Sequence, residues 1–337
     1  MTFPVQEVMA EMRKRVVGQE LMVQRLLIGM LTGGHVLLEG VPGLAKTLTV
    51  RTLADVLHAS FSRIQFTPDL LPADVVGTMI FESQHQKFAV RHGPIFAQIV
   101  LADEVNRAPA KVQSALLEAM QERQVTIGGT SYRLPEPFLV LATQNPIESE
   151  GTYPLPEAQL DRFLLKVKVD YPARAEEREV LMRMANSDHD IPVRRLAEPG
   201  QVLAARSQIA AIHLDPRLAD YIVDLVRATR EPVSVGLGAL APMIAYGASP
   251  RASIALAQTA RARAYLGNRD FVTPEDIQDL APDVMRHRIV LTFDAEAEGL
   301  DTDGVVQQVL GAVPEIGRAR VGKECKHWCR SRWSPYH

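Results

Sequence analysis

The chain has 337 residues, of which 47% are hydrophobic and 23% charged, and its formal net charge is −3. Such a charge gives no overall attraction to nucleic acid or to an anionic membrane, and no apolar run approaches the ~18 residues that a membrane span needs. Residues 1–15 carry charges throughout and lack the apolar stretch of a signal peptide, so we expect a cytoplasmic protein without membrane insertion. The length predicts two domains.

Apolar runs typical of buried strands alternate with helical patterns in the first part of the chain. The predicted strands are His35 to Glu39, Phe61 to Phe66, Ile99 to Ala102, Phe138 to Thr143 and Phe163 to Val169. The predicted helices are Leu48 to Leu57, Ala110 to Gln121, Ala158 to Arg162 and Ala173 to Ala185. This alternation indicates an α/β fold with a five-stranded parallel sheet covered by helices on both faces.

Two segments interrupt the alternation, and a different pattern follows it. Residues 67–96 form a long insertion, and Gly128-Gly129 within residues 124–137 is a hairpin signal. After about Asp190 the strands stop, and helix caps at Asp215-Pro216, Ser249-Pro250 and Thr273-Pro274 predict a helical second domain.

The run Gly40-Val41-Pro42-Gly43-Leu44-Ala45-Lys46-Thr47 joins the first strand to the first helix. Its glycines let successive N–H groups face one phosphate group, and the positive end of the helix adds to the attraction. Lys46 would reach the β- and γ-phosphates, and the Thr47 hydroxyl would hold Mg²⁺. The general pattern has glycine before the lysine, where this chain has Ala45.

A second and a third element follow at later strand ends. Asp103 and Glu104 close an apolar strand, where Asp103 would bind Mg²⁺ through water and Glu104 would activate the attacking water. Asn145 closes the next strand, within hydrogen-bonding reach of that water or of the γ-phosphate. Taken alone, the first pair is compatible with carboxylates in solvent, and Asn145-Pro146 with an ordinary turn.

These blocks together resemble the motif series of the MoxR family of AAA+ ATPases. The resemblance spans roughly Val5 to Pro314. It is carried by five runs: Gly40 to Thr47, Asp103 to Ala108, Ala142 to Pro146, Leu160 to Phe163 and Gly247 to Ala252. It implies an AAA+ P-loop core followed by a smaller all-α lid, and a small residue such as Ala45 before the lysine is usual in this family.

The resemblance also implies a role for each residue. Walker A comprises Lys46 and Thr47, Walker B comprises Asp103 and Glu104, and Asn145 is sensor 1. Arg162 resembles the arginine finger that acts on the neighbouring subunit's nucleotide, and Arg251 resembles sensor 2, which the lid contributes to its own subunit's nucleotide. The nucleotide-binding residues implied are Val17, Gly18, Gln19, Gly40, Pro42, Gly43, Leu44, Ala45, Lys46, Thr47, Leu48 and Arg251. Catalysis is assigned to Lys46, Glu104, Asn145 and Arg162, with ATP and Mg²⁺ as cofactors.

Each arginine also has a simpler interpretation. Arg162 could pair with Glu157 inside its own subunit, since most surface arginines form ion pairs that contribute only ~0–1 kcal/mol. Arg107, which follows the Walker B carboxylates, could instead be the residue that reaches across an interface. The sequence does not rank Arg107 against Arg162.

The family resemblance further implies a ring of subunits, expected to be a hexamer, that remodels client proteins with a partner bearing a von Willebrand A domain. The two interruptions match the helix 2 insert and the pre-sensor 1 hairpin of these ATPases, which would transmit nucleotide state to a bound protein. A metal-chelatase motor subunit and a nucleic-acid-dependent motor are the alternatives. Nucleic acid is not an expected partner, because no basic stripe interleaved with aromatic residues is present.

The predicted domains are a nucleotide-binding core over residues 1–190, a lid over 191–318 and an atypical tail over 319–337. Both cysteines and both tryptophans of the chain lie in the tail: Cys325, Trp328, Cys329 and Trp333. A zinc site in the tail is disfavoured because the rest of the chain offers no further cysteine ligand. A disordered or non-native tail is expected.

Overall fold

The structure is a computed structural model that describes residues 3–41, 43–83, 86–145, 152–184 and 191–314. Pro42 of the glycine loop, the predicted domain boundary at 190 and the predicted tail from 319 lie outside these described residues. The domain limits therefore stay predictions.

The first half of the chain contains seven α-helices and nine strands among its described residues. The helices are α1 Val5–Arg15, α2 Glu20–Thr32, α3 Lys46–Val56, α4 Pro72–Val76, α5 Ala110–Glu122, α6 Glu157–Leu160 and α7 Arg174–Met184. The strands are β1 Val36–Glu39, β2 Phe61–Gln65, β3 Gly77–Glu82, β4 Lys87–His92, β5 Ile99–Asp103, β6 Gln124–Ile127, β7 Thr130–Arg133, β8 Leu139–Gln144 and β9 Leu165–Lys168.

Five of these strands form one parallel sheet in the order β2-β5-β8-β1-β9, which confirms the predicted α/β fold. The central strands β5 and β8 are buried along nearly their whole length, because helices cover both faces. Strands that run parallel end at a common edge. The carboxyl ends of β1, β5 and β8 thus bring Gly40, Asp103 and Asn145 to the same side of the sheet.

Both predicted interruptions form antiparallel hairpins outside the sheet. One pairs β3 with β4 and the other pairs β6 with β7, turning at Gly128-Gly129. The hairpins touch each other: the Met79 side chain fills the space over Gly128, and the rings of His92 and Tyr132 meet edge to face at 5.4 Å between centroids. The two insertions thus form one packed unit.

The second half of the chain is mainly helical. Its helices are α8 Pro199–Ala210, α9 Pro216–Ala228, α10 Pro250–Leu266, α11 Pro274–Met285, α12 Phe293–Ala297 and α13 Thr302–Ala312. The three predicted caps precede helices, since Asp215 and Ser249 accept N–H hydrogen bonds from Arg217 and Arg251, and Asp276 accepts one from Thr273. A short antiparallel pair, β10 Ile244–Tyr246 and β11 Val290–Leu291, was not predicted.

The lid packs against the core through α2 and through the edge strand β9. Arg25 of α2, only 2% exposed, pairs with Asp283 at 2.6 Å and with Asp279 at 2.9 Å, both on α11. After α11, the His287 ring and the Arg288 guanidinium hydrogen-bond the Phe163 carbonyl just before β9. None of the helices within the described ranges has the length and apolar character required to cross a bilayer.

Candidate nucleotide site

The glycine loop between β1 and α3 turns through left-handed backbone conformations. Gly43 has φ +88° and Ala45 has φ +54°, so Ala45 occupies a region that suits glycine. An alanine there costs on the order of 1 kcal/mol. This position is where the general motif has glycine, and the backbone explains that preference.

Lys46 begins α3 and lies beside the loop. Its Nζ donates to the Gly40 carbonyl at 2.7 Å, which holds the amine against the loop. Burial lowers the pKa of Lys46, whereas the nearby charges of Asp103 and Glu104 raise it. An amine held this way between carboxylates and the loop is suited to bind the phosphates of a nucleotide.

A cavity of about 440 Å³ opens at the carboxyl edge of the sheet, in front of the loop. Five predicted chemical groups line it together: Lys46, Thr47, Asp103, Glu104 and Asn145. The loop residues Gly43, Leu44 and Ala45 and the helix residue Leu48 line it as well. Residues distant in sequence therefore converge on one site because their strands are parallel neighbours.

Asp103 is fixed by hydrogen bonds from two strands. The Thr143 hydroxyl donates to Oδ1 at 2.6 Å, and Arg63 of β2 donates to Oδ2 from Nε at 3.1 Å and from Nη2 at 2.6 Å. The Thr143 hydroxyl also accepts the Glu104 N–H at 2.8 Å. Thr143 thus links both Walker B residues to the strand that carries Asn145.

Glu104 lies in a strained backbone conformation, with φ +57°. Its Oε2 accepts a hydrogen bond from the Gln65 side-chain amide at 2.9 Å and pairs with Arg107 Nε at 3.1 Å. Arg107 is thereby directed toward the site of its own subunit. No local pattern indicates a role for Arg63, Gln65 or Thr143, because their contribution depends on which strands are neighbours.

Val17, Gly18 and Gln19 do not line the phosphate cavity. They lie at the same edge of the sheet, where the buried Gln19 side chain donates to the Asp170 carbonyl at 3.4 Å, just beyond β9. Gly18 has φ +70° and is covered by Glu176 of α7. These residues could form a wall for the base of a nucleotide whose phosphates occupy the glycine loop.

Arg162 lies far from this cavity in its own subunit. It lies shortly before β9, at the amino edge of the sheet, since the Leu164 N–H donates to the carbonyl of His35 before β1. The exposed guanidinium donates to the Leu117 carbonyl at 3.0 Å, and no ion pair with Glu157 is seen among the described residues.

Arg251 lies at the same amino edge, and its expected role toward its own subunit's nucleotide stays a prediction. Its Nη1 contacts Asp161 Oδ2 at 3.3 Å, one residue from Arg162. The reason is the packing of the lid along the edge strand β9, where Arg288 binds the other oxygen of Asp161 at 2.7 Å. In this structure Arg251 does not line its own phosphate cavity.

The residues of the cavity fit a nucleotide with Mg²⁺. The loop N–H groups and Lys46 suit phosphates, while the Thr47 hydroxyl and the Asp103 carboxylate are hard oxygen ligands. Within the described ranges, no group of three or more His, Cys, Asp or Glu residues could hold a metal by itself.

Comparisons with known proteins agree with this geometry. Residues 35–165 match the ATPase family associated with various cellular activities (AAA), and residues 239–309 match the AAA lid domain. The chaperone MoxR1 of Mycobacterium tuberculosis is 49% identical over 308 residues, which cover 91% of this chain and 81% of that protein. The chain belongs to the MoxR family of AAA+ ATPases.

Other relatives lie within and beyond the MoxR family. The protein MoxR of Paracoccus denitrificans is 38% identical, with 82% of this chain and 86% of that protein covered. A crystal structure of a candidate ATPase from Cytophaga hutchinsonii has a TM-score of 0.88 and 54% identity, covering 92% of this chain and 94% of that one. The magnesium-chelatase 38 kDa subunit of Acidiphilium rubrum is 30% identical over 192 residues, 51% of its length.

Proposed function

We propose that this MoxR-family chain hydrolyses ATP with Mg²⁺ as part of a ring of identical subunits. The observation that carries the proposal is the cavity at the carboxyl edge, which collects Lys46, Thr47, Asp103, Glu104 and Asn145. Phosphate, metal and water each have a fitting group there. The AAA family match over residues 35–165 supports the same reaction.

In this proposal, Lys46 binds the phosphates, and Thr47 and Asp103 hold Mg²⁺, which neutralises charge on the phosphates when bound. Glu104 and Asn145 position the water that attacks the γ-phosphate in line. In the structure, the Gln65 amide and Arg107 hold Glu104 through its Oε2. Asn145 is suited to this role because it is 7% exposed and follows the strand next to Asp103.

We propose further that Arg162 and Arg251 both act on the nucleotide of the neighbouring subunit. Both lie at the amino edge of the sheet, opposite their own phosphate cavity, and Arg251 contacts Asp161, the residue before Arg162. Arg107 contacts its own Glu104 instead, which favours Arg162 as the finger. An arginine supplied in trans contributes about 10³–10⁵ in rate in related phosphate hydrolases.

The work driven by hydrolysis is proposed to be chaperone-like remodelling, maturation or metal-cofactor insertion of client proteins, in a hexameric ring. The name of the Mycobacterium tuberculosis relative, a chaperone, supports this over a chelatase motor, whose relatives match over about half their length. A partner with a von Willebrand A domain is expected from the family. A cytoplasmic location stays a prediction.

The test is ATP turnover as a function of protein concentration. Specific activity should rise with concentration as rings assemble, and Glu104→Gln should lower turnover by about 10²-fold or more while ATP still binds. Glu296→Gln, an exposed carboxylate of the lid, is the matched control. Turnover at the wild-type rate in Glu104→Gln would refute the proposed mechanism, and stimulation by single-stranded DNA would favour a nucleic-acid motor.

A further inference from the structure

Arg63 of β2 forms a forked contact with Asp103, the predicted metal carboxylate. Its Nε and Nη2 donate to the same Oδ2, at 3.1 and 2.6 Å. Arg63 also lines the phosphate cavity, opposite Lys46 and Thr47. A guanidinium is always charged, so this is a cation placed directly on the oxygen that would serve the metal.

The other oxygen of Asp103 is held as well. Oδ1 accepts the Thr143 hydroxyl at 2.6 Å, and that hydroxyl in turn accepts the Glu104 N–H. A metal ion, or a water molecule bound to it, would have to displace Arg63 from Oδ2 or use the remaining lone pair of Oδ1 beside the guanidinium charge. Arg63 is free to yield Oδ2, because 49% of its side chain is exposed and β2 is an edge strand.

Arg63 is also connected to the predicted base. The same Nη2 donates to Gln65 Oε1 at 2.9 Å, and Gln65 Nε2 donates to Glu104 Oε2 at 2.9 Å. Because a guanidinium can only donate, Arg63 forces the amide to present its carbonyl to the arginine and its NH₂ to Glu104. One side chain thus touches the metal carboxylate and orients the group bound to the base.

We propose that Arg63 competes with the divalent cation for Asp103 and, through Gln65, keeps Glu104 engaged until that cation binds. Arg63 is then a positioning residue: the metal ion must bind Asp103 before Glu104, the proposed base, is released. The inference rests on the proposed ATPase function. If the contact of Arg63 with Asp103 were only a surface ion pair, it would add a little stability and leave metal affinity unchanged.

The first test measures metal binding without nucleotide. Mn²⁺ is titrated into the full chain and its bound fraction is followed by electron paramagnetic resonance. Arg63→Met should lower the Mn²⁺ concentration at half-saturation by about two- to fivefold, the range that an exposed ion pair spans. Arg63→Lys keeps the charge but not the forked contact. Its Mn²⁺ concentration at half-saturation should lie between those of the wild type and Arg63→Met.

The control variant is Arg227→Met. Arg227 is a lid arginine with 57% of its side chain exposed and a carboxylate partner, Glu231, at 3.1 Å. Its loss should leave Mn²⁺ affinity at the wild-type value. Circular dichroism confirms that each variant is folded. Affinity in Arg63→Met that equals or falls below wild type overturns the competition.

A double-mutant cycle shows whether the effect runs through Asp103. In the Asp103→Asn background, Arg63→Met should change Mn²⁺ affinity by less than twofold, because the contested carboxylate is gone. An undiminished effect of Arg63→Met in that background would refute competition for Asp103.

The relay through Gln65 is tested separately. Gln65→Leu leaves the contact of Arg63 with Asp103 intact, so it should alter turnover at saturating Mg²⁺ and ATP while Mn²⁺ affinity stays within twofold of wild type. Wild-type turnover in Gln65→Leu overturns the relay. If the wild-type chain showed no turnover, the proposed function would fail, whereas the Mn²⁺ titrations would still decide the competition.

Discussion

Arg251 of the lid and Asp161 of the core form an ion pair at 3.3 Å, and Asp161 directly precedes Arg162. Arg251 is 63% exposed in this pair, so the contact contributes little stability and a more strongly charged anion could displace Asp161. Arg162 and Arg251 thus both lie at the sheet edge opposite the phosphate cavity. In the proposed ring, a neighbouring copy would complete each cavity.

This arrangement predicts complementation between inactive variants. Lys46→Ala removes the phosphate-binding amine of the cavity, and Arg251→Ala removes the lid arginine. Each variant alone should therefore lose most turnover. Mixed rings should regain activity, because an intact cavity from Arg251→Ala can meet intact arginines from Lys46→Ala. ATPase activity of the mixture against that of each variant alone measures this. An inactive mixture, shown to form mixed rings, would place Arg251 in its own subunit's site.

The Thr143 hydroxyl predicts a difference between two conservative substitutions. Thr143→Val keeps the shape but leaves the Glu104 N–H and Asp103 Oδ1 without this partner, at a cost of about 1–3 kcal/mol in unfolding free energy. Thr143→Ser keeps the hydroxyl and should retain most of both stability and turnover. Denaturant unfolding and ATP turnover test this pair. Loss in Thr143→Ser with wild-type behaviour in Thr143→Val would show that the methyl group, not the hydroxyl, matters.

The contact between the two hairpins predicts different effects for two neighbouring glycines. Gly128 and Gly129 have φ +57° and +83°, so alanine is strained at either position. A Cβ at Gly128 would also lie 2.0 Å from Met79 Sδ, whereas a Cβ at Gly129 would meet no atom within 4 Å. Gly128→Ala should therefore loosen β3–β4 as well as β6–β7, and Gly129→Ala only the latter. Amide hydrogen exchange resolves the two hairpins. Faster exchange in β6–β7 alone in both variants would mean that the hairpins are uncoupled.

His35 predicts a dependence of stability on pH. The ring is buried, with Nδ1 accepting the Val140 N–H and Nε2 donating to the Met120 carbonyl, both at 3.0 Å. Burial lowers the pKa of His35 to about 4 from 6.5, so the unfolded chain binds the proton more readily and stability falls as pH drops from 6.5 toward 4. Between pH 6.5 and 5 this amounts to about 2 kcal/mol.

His35→Gln isolates that contribution. The variant starts from lower stability, yet its unfolding free energy should depend less on pH over this range than that of the wild type. Some dependence remains, because burial also lowers the pKa of His287. Parallel slopes for the two proteins in denaturant titrations at several pH values would contradict the assignment to His35.

Local patterns in the sequence predicted the parts of the site that local structure controls. A glycine loop between a strand and a helix, and carboxylates after an apolar strand, follow from a few adjacent residues. Parallel strands then place Thr47, Asp103 and Asn145 at one edge, because all carboxyl ends of such a sheet face the same way. The three helix caps at Asp215, Ser249 and Thr273 were predictable for the same reason.

The strand β9 shows where local patterns stop. Its sequence predicts a strand, but nothing in it reveals that the end of α11 covers it through His287 and Arg288. That packing carries Arg251 to Asp161 and away from its own cavity. Local patterns did not predict this position of Arg251, since a helix cap determines where a helix begins and not which neighbour it faces.

The sequence by itself therefore determined the sheet, the loop and the predicted phosphate and metal groups, because each depends on residues close together in the chain or on strand direction. Only the tertiary structure decided which side chains support them and where Arg251 lies. Arg63, Gln65 and Thr143 reach Asp103 and Glu104 from strands about 40 residues away in either direction. Contacts of that kind arise from strand order and lid packing, which no single stretch of sequence specifies.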